Sequence, residues 1–410
     1  MRMSRNQEKV MTVFVSLLAI RFLTAREPSQ QTSAATFESV EQGLTQSDVF
    51  ISGTEGYHTY RIPAIVITRK GVLLAFCEGR RNSSSDTDDI DLLQKRSIDG
   101  GRTWSKQEII WDNGANTCGN PCPVVDQTTG TVWLLLTHNL GQDEEQKISQ
   151  RMSGGTRTVW VCKSESEGTS WSKPVEITEM AKRPDWGWYA TGPGVGIQLQ
   201  QGTHVGRLLI PCSHSVQPDR NRPDQFEYGD HVIYSDDHGS TWQLGGIVPA
   251  AKIDEPQVVE LEGGSLMMNM RSLFGRGVRV VSLSQDGGQT WGRISHDRTL
   301  IEPECQASIV CYTRLSQHSQ SRLLFSNPAS TKEPINMTVR LTYDEGKTWA
   351  VTKQIYSGPS AYSCLVVLPD MTMGCLYERG DRSPYEKITF VRFSLEWLTG
   401  GVDHAKNQRT

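Results

Sequence analysis

Ser97-Ile98-Asp99-Gly100-Gly101-Arg102-Thr103-Trp104 recurs as Ser235-Asp236-Asp237-His238-Gly239-Ser240-Thr241-Trp242 and again as Ser284-Gln285-Asp286-Gly287-Gly288-Gln289-Thr290-Trp291. A fourth copy, Thr342-Tyr343-Asp344-Glu345-Gly346-Lys347-Thr348-Trp349, replaces only the first serine, and a fifth, Ser164 to Trp171, has Ser166 where the aspartate belongs. Self-similarity at this spacing marks a repeat architecture. The pattern S-x-D-x-G-x-T-W describes a turn that closes itself. The aspartate accepts hydrogen bonds from turn N–H groups and the glycine supplies a positive φ, while threonine and tryptophan are expected to pack the turn against its own sheet. Strand-like runs flank the copies: Val72-Leu73-Leu74-Ala75-Phe76, Val232-Ile233-Tyr234 and Val278-Arg279-Val280-Val281-Ser282. Helical periodicity is confined to Glu176–Arg183. Small sheets repeated radially, an all-β propeller, follow from this arrangement.

The whole chain is consistent with that fold. It has 410 residues, 37% of them hydrophobic and 21% charged, enough for a large core and too apolar for disorder. The 37 Gly and 11 Trp suit short strands, tight turns and one bulky anchor per unit. Forty-two Lys plus Arg against 46 Asp plus Glu give a net charge of −4, which excludes a broad basic face for nucleic acid. Any anionic ligand must be held by a local cluster.

At the N-terminus Arg2, Arg5 and Lys9 precede an apolar run, Val10 to Ile20, and a small-residue site at Leu23-Thr24-Ala25. This is signal-peptide anatomy over residues 1–25, and it predicts export to the periplasm or medium, with tethering to the membrane if it stays uncleaved and no span in the mature chain. Residues 26–44 read as a polar linker, 45–400 as the folded domain and 401–410 as a flexible tail. Of the nine cysteines, Cys118 and Cys122 share a Gly/Asn/Pro-rich segment and are the best disulfide candidates; the others read mainly as small core residues. No metal-ligand spacing occurs, so no metal or other cofactor is expected.

The repeats resemble the Asp boxes of the exo-α-sialidase (neuraminidase) family, six-bladed β-propellers, over roughly residues 45 to 395. Asp boxes lie away from the family's active site, so their role is structural. The resemblance implies a retaining glycoside hydrolase acting on terminal α-linked sialic acid of glycans, glycoproteins or glycolipids, as a monomer. Sialic acid carries a carboxylate on its anomeric carbon, which a forked cation matches. Three arginines match the family's clamp: Arg61 in Tyr60-Arg61-Ile62-Pro63, Arg271 in Asn269-Met270-Arg271-Ser272, and Arg340 in Asn336-Met337-Thr338-Val339-Arg340. A carboxylate nucleophile would be repelled by the substrate, and sialidases use tyrosine instead. Tyr362, in Ser360-Ala361-Tyr362-Ser363, matches it, with Glu255 as its base and Asp254 as the neighbour that could replace it.

Asp86, in the polar loop Ser83-Ser84-Ser85-Asp86-Thr87-Asp88-Asp89-Ile90-Asp91, matches the general acid. Four aspartates within that loop are expected to raise one another's pKa, which would help the acid keep its proton; Asp88 and Asp89 read as solvated. Arg80 matches an additional substrate arginine, and Glu378 matches the carboxylate that holds Arg61. Trp186 to Gln198 resembles the blade segment GPGxGIQ, whose aromatics line either the acyl pocket or the core. Alternatives within the resemblance are a trans-sialidase, a glycosidase for deaminated sialic acid, or a non-catalytic sialic-acid-binding propeller.

Overall fold

The computed structural model describes residues 38–41, 43–219, 222 and 225–404; the expected signal peptide and residues 26–37 of the expected linker lie outside them. Blade one comprises Thr59–Ile67, Leu73–Arg80, Ile90–Ser97 and Glu108–Trp111. Blade two comprises Thr117–Val125, Val132–Asn139, Thr158–Ser164 and Val175–Glu176. Blade three runs from Trp186–Thr191 and Ile197–Gln198 through Leu208–Val216 and Glu227–Ser235 to Gln243–Ile247, and blade four is Ile253–Glu260, Leu266–Ser272, Val278–Ser284 and Ser295–Ile301. Blade five starts with Ser308–Thr313, Arg322–Pro328 and Ile335–Thr342. The long strand Val351–Val367 then completes it with its first half and opens blade six with its second half, ahead of Met373–Arg379 and Lys387–Phe393.

The fourth strand of blade six comes from the other end of the chain. Leu44–Ile51 pairs antiparallel with Lys387–Phe393, from Leu44 opposite Phe393 to Ile51 opposite Lys387, and Glu38–Glu41 adds a further strand outside it. The ring therefore closes through hydrogen bonds between the two ends, leaving its largest seam paired. The folded region begins before residue 45, inside the expected linker, because Leu44, Val49 and Phe50 have a buried face to fill. Part of the expected C-terminal tail is held as well: Asp403 accepts from Arg322 at 2.6 and 2.7 Å and from Tyr343 at 2.9 Å. Among the described residues no helix is long and apolar enough to cross a membrane.

The core fills the wedges between neighbouring blades. One wedge joins Val124, Leu135 and Val159 of blade two to Tyr189, Ile210 and Trp242 of blade three. Cys118 and Cys122 are free, buried thiols whose side chains enter two different wedges, so they do not form the expected disulfide.

The Asp boxes have the expected turn chemistry. Asp99 accepts from the Arg102 and Thr103 N–H groups at 3.0 and 2.9 Å, from Thr103 Oγ1 at 2.6 Å and from Ser97 Oγ at 2.8 Å. Asp237, Asp286 and Asp344 take the corresponding threonine N–H at 2.9 Å each. In the degenerate box Ser166 accepts from Ser170 N–H at 3.0 Å and lies 2.8 Å from Ser170 Oγ, an uncharged version of the same turn.

The packing differs from expectation: each box seats on the preceding blade. Trp104 Nε1 donates to Ser47, Trp171 Nε1 to Gln94 and Trp349 Nε1 to Asp297, all on the previous sheet. A Cβ on Gly101 would meet the Phe390 ring at 2.1 Å, and one on Gly239 would meet Trp133 at 2.1 Å. These glycines are required both by positive φ and by contact with the neighbouring blade.

Candidate active site

The cavity at one end of the propeller axis has a volume of about 400 Å³ and is lined by residues from all six blades. In five blades the innermost strand slips register near this end, between Arg61 and Ala64, Gly119 and Cys122, Trp186 and Tyr189, Asp254 and Gln257, and Ser360 and Ser363. A bulge frees residues from the ladder and re-aims their side chains. Ile62, Asn120 and Glu255 take positive φ at these slips, at 60°, 51° and 46°. The slips thus deliver Arg61, Asn120, Trp188, Glu255 and Tyr362 to the cavity wall.

Tyr362 Oη donates to Glu255 Oε1, and Arg271 Nη1 donates to Glu255 Oε2 at 2.9 Å. Burial raises the Tyr362 hydroxyl well above its ordinary value, and the Glu255 carboxylate raises it further. The phenol therefore keeps its proton while a proton acceptor is already in contact. Asp254 also lines the cavity, and it accepts the Glu255 N–H at 2.9 Å. Burial, followed by the charge of Glu255, moves Asp254 up to about 7.

Arg61 is held by Glu378, from Nε at 3.1 Å and Nη2 at 3.3 Å. Glu378 is fully buried and also accepts the N–H groups of Ile62 at 2.9 Å and Tyr362 at 3.1 Å. One carboxylate thus fixes the arginine and the tyrosine backbone together. The Arg61 guanidinium stacks on the Tyr385 ring at 4.0 Å.

Asp86 projects from its loop with its side chain 60% exposed, 2.7 Å from Arg80 Nη2 and 3.6 Å from Arg61 Nη1. The expected mutual repulsion of the four aspartates does not govern it. Asp88 accepts from Asn82 at 3.1 Å, Asp89 pairs with Arg81 at 3.2 Å, and Asp91 is buried under Tyr57 and Arg81, both at 2.6 Å. Burial pushes the Asp86 carboxyl up, but Arg80 and then Arg61 outweigh it and hold the group below the usual range.

The structure does not bring Arg340 to the cavity. Its side chain is buried beneath the blade-five sheet, where Nη1 donates to Asn327 at 2.9 Å. Of the tryptophans in the GPGxGIQ segment, Trp188 lines the cavity and stacks on Arg157 at 3.9 Å, whereas Trp186 faces away and stacks on His214 at 3.7 Å.

Several lining residues carry no signal in the sequence reading. Glu78 grips Arg80 at 2.7 Å and accepts the Asn120 N–H at 2.9 Å. Arg157 donates to Thr137 at 3.0 Å and also to Asn120. Tyr228 donates to Glu145 at 2.6 Å, a second Tyr–Glu pair on the far wall. Apart from Glu78 and Arg80, which are two residues apart, these partners lie 20 to 83 residues apart in the chain, where local motifs do not reach.

A profile described as "BNR repeat-like domain" matches residues 71–376. An exo-alpha-sialidase of Aspergillus fumigatus is 30% identical over 85% of this chain and 87% of its own length. The chain belongs to the sialidase family. A sialidase of Micromonospora viridifaciens is 33% identical over 93% of the chain, and one of Bacteroides fragilis is 33% identical over 84%. The chain spans 59% and 64% of those two sialidases. Among solved structures, a Hadza microbial sialidase superposes with a TM-score of 0.76 at 32% identity, covering 86% of this chain and 69% of that one. A leech intramolecular trans-sialidase at 20% identity, with a TM-score of 0.71, shares the fold of the sialidase propeller.

Proposed function

We propose that this chain is a retaining exo-α-sialidase that hydrolyses terminal α-linked sialic acid from glycoproteins or glycolipids. The observation that carries the reading is the contact of Tyr362 with Glu255 in a cavity that also contains Arg61, Arg271 and Asp86. Arg61 and Arg271 hold the substrate carboxylate. Tyr362 Oη attacks the anomeric carbon and gives its proton to Glu255, while Asp86 protonates the departing glycosidic oxygen. In the second half Asp86 takes a proton from water, the water oxygen displaces Tyr362 from the anomeric carbon, and Glu255 returns the proton to Tyr362. Two inversions give retention.

A non-catalytic sialic-acid-binding propeller has no use for a tyrosine hydroxyl held against a carboxylate. Export through residues 1–25 and action as a monomer belong to the same proposal. The test is release of sialic acid from a fluorogenic α-sialoside, with NMR of the first anomer formed. The expected result is turnover that yields the α-anomer; absence of release at every pH from 4 to 8 rejects the reading.

A further inference from the structure

The resemblance asks for three cations around the substrate carboxylate, one each from blades one, four and five. Blades one and four supply Arg61 and Arg271. Blade five supplies none among the described residues lining the cavity: it presents Pro303, Glu304, Cys305 and Pro334. Pro334 sits at the cavity end of the strand Ile335–Thr342, where its carbonyl accepts the N–H of Ser360, two residues before Tyr362, at 2.8 Å. Arg340 lies six residues further along that strand. At about 3.3 Å per residue that is roughly 20 Å, well beyond the reach of one side chain.

We infer that the carboxylate clamp of this chain has two arms, Arg61 and Arg271, and that Pro334 sets how strictly the site demands a charged C1 group. The inference rests on the sialidase reading. The blade-five side of the cavity is lined by Pro303, Glu304, Cys305 and Pro334, none of which carries a cationic side chain to meet a C1 carboxylate. One carboxylate oxygen therefore lacks the charged donor that a third arm would supply. A neutral C1 carbonyl, as in an alkyl ester or a lactone of a sialoside, gives up less here than in a three-armed site. Specificity is a difference of affinities, and this cavity compresses that difference. The substrate class widens accordingly to sialosides whose C1 carboxyl is esterified or lactonised.

The experiment measures kcat/KM of wild type, Pro334→Arg and Pro334→Gln on an aryl α-sialoside and on its C1 methyl ester. A new charged donor is worth about tenfold or more. Pro334→Arg is expected to raise kcat/KM for the acid by about tenfold or more, chiefly through KM, with a much smaller gain for the ester, whereas Pro334→Gln changes acid and ester together. Equal effects of Pro334→Arg on both substrates, at wild-type Tm, overturn the inference. So does a selective loss on the acid for a folded Arg340→Gln variant. Pro334→Lys replaces the arginine variant should the latter fail to fold. If no variant hydrolyses either glycoside, the proposed activity has failed independently, and calorimetric binding of 2-deoxy-2,3-didehydrosialic acid decides the clamp: tighter binding to Pro334→Arg upholds two arms, and equal affinity rejects them.

Discussion

Asp86 is held below the usual carboxylate range by Arg80 and Arg61, outweighing the upward push of burial, although the proposed role requires it to carry a proton. Substrate removes the conflict. A carboxylate seated on Arg61 cancels part of the positive field and brings a negative charge close, and both effects raise Asp86. The free enzyme therefore titrates lower than the substrate complex. We predict that the alkaline limb of kcat lies at higher pH than that of kcat/KM; coincident limbs would remove Asp86 from the role.

Asp254 provides a second prediction at this scale. Its folded pKa is raised to about 7 by burial and then by Glu255, against about 3.9 in an unfolded chain. The folded state thus binds the extra proton, and stability falls as pH rises from about 4 through 7. Asp254→Asn should flatten the fall in Tm across that window, and an unchanged Tm profile would contradict it. Tyr362, Glu255, Arg61 and Arg271 were legible in the sequence because each sits in a local motif. Arg340 was misplaced because its motif gives blade order, which does not encode depth along a strand. The low pKa of Asp86 was hidden because Arg61 reaches it from another strand and Arg80 bends back from the strand before the loop.

At the scale of elements, the Asp box acts as a rivet between blades. Its aspartate and glycine do separable jobs. Asp99→Ala removes hydrogen bonds from a partly exposed turn and should cost about 1–2 kcal/mol, leaving kcat intact. Gly101→Ala drives a methyl group into Phe390 at a φ of +86° and should cost about 2–4 kcal/mol. Denaturant titration checks the order, and equal losses would show that the interblade seat is unimportant. The box aspartates are lowered by their turn hydrogen bonds, which outweigh burial, so their contribution is present above pH about 4 and fades as pH falls through the folded value. The turn itself was legible from residue types. Its partner was not, because the contact runs between sheets that the repeat period separates.

The whole ring explains why six blades carry five boxes. Each box joins the third strand of a blade to its fourth; in blade six the fourth strand arrives from the N-terminal end, so that turn does not exist. Deleting residues through Ser52 would strip Leu44, Val49 and Phe50 from the seam, and burying each such side chain is worth about 1.5–3 kcal/mol. The sum rivals the total stability of an ordinary domain. We predict that the shortened chain unfolds or aggregates near 37 °C and that a synthetic 43–52 peptide restores a cooperative melt; a wild-type Tm without the strand would refute this.

The same seam sets a timetable for biosynthesis. Asp48 and its partner Lys387 are 339 residues apart, so at roughly 5–20 residues per second the strand Leu44–Ile51 waits about 17–70 s for Lys387–Phe393. Throughout that interval the nascent chain carries this strand without its partner, so the buried face of Leu44, Val49 and Phe50 stays uncovered until blade six has emerged.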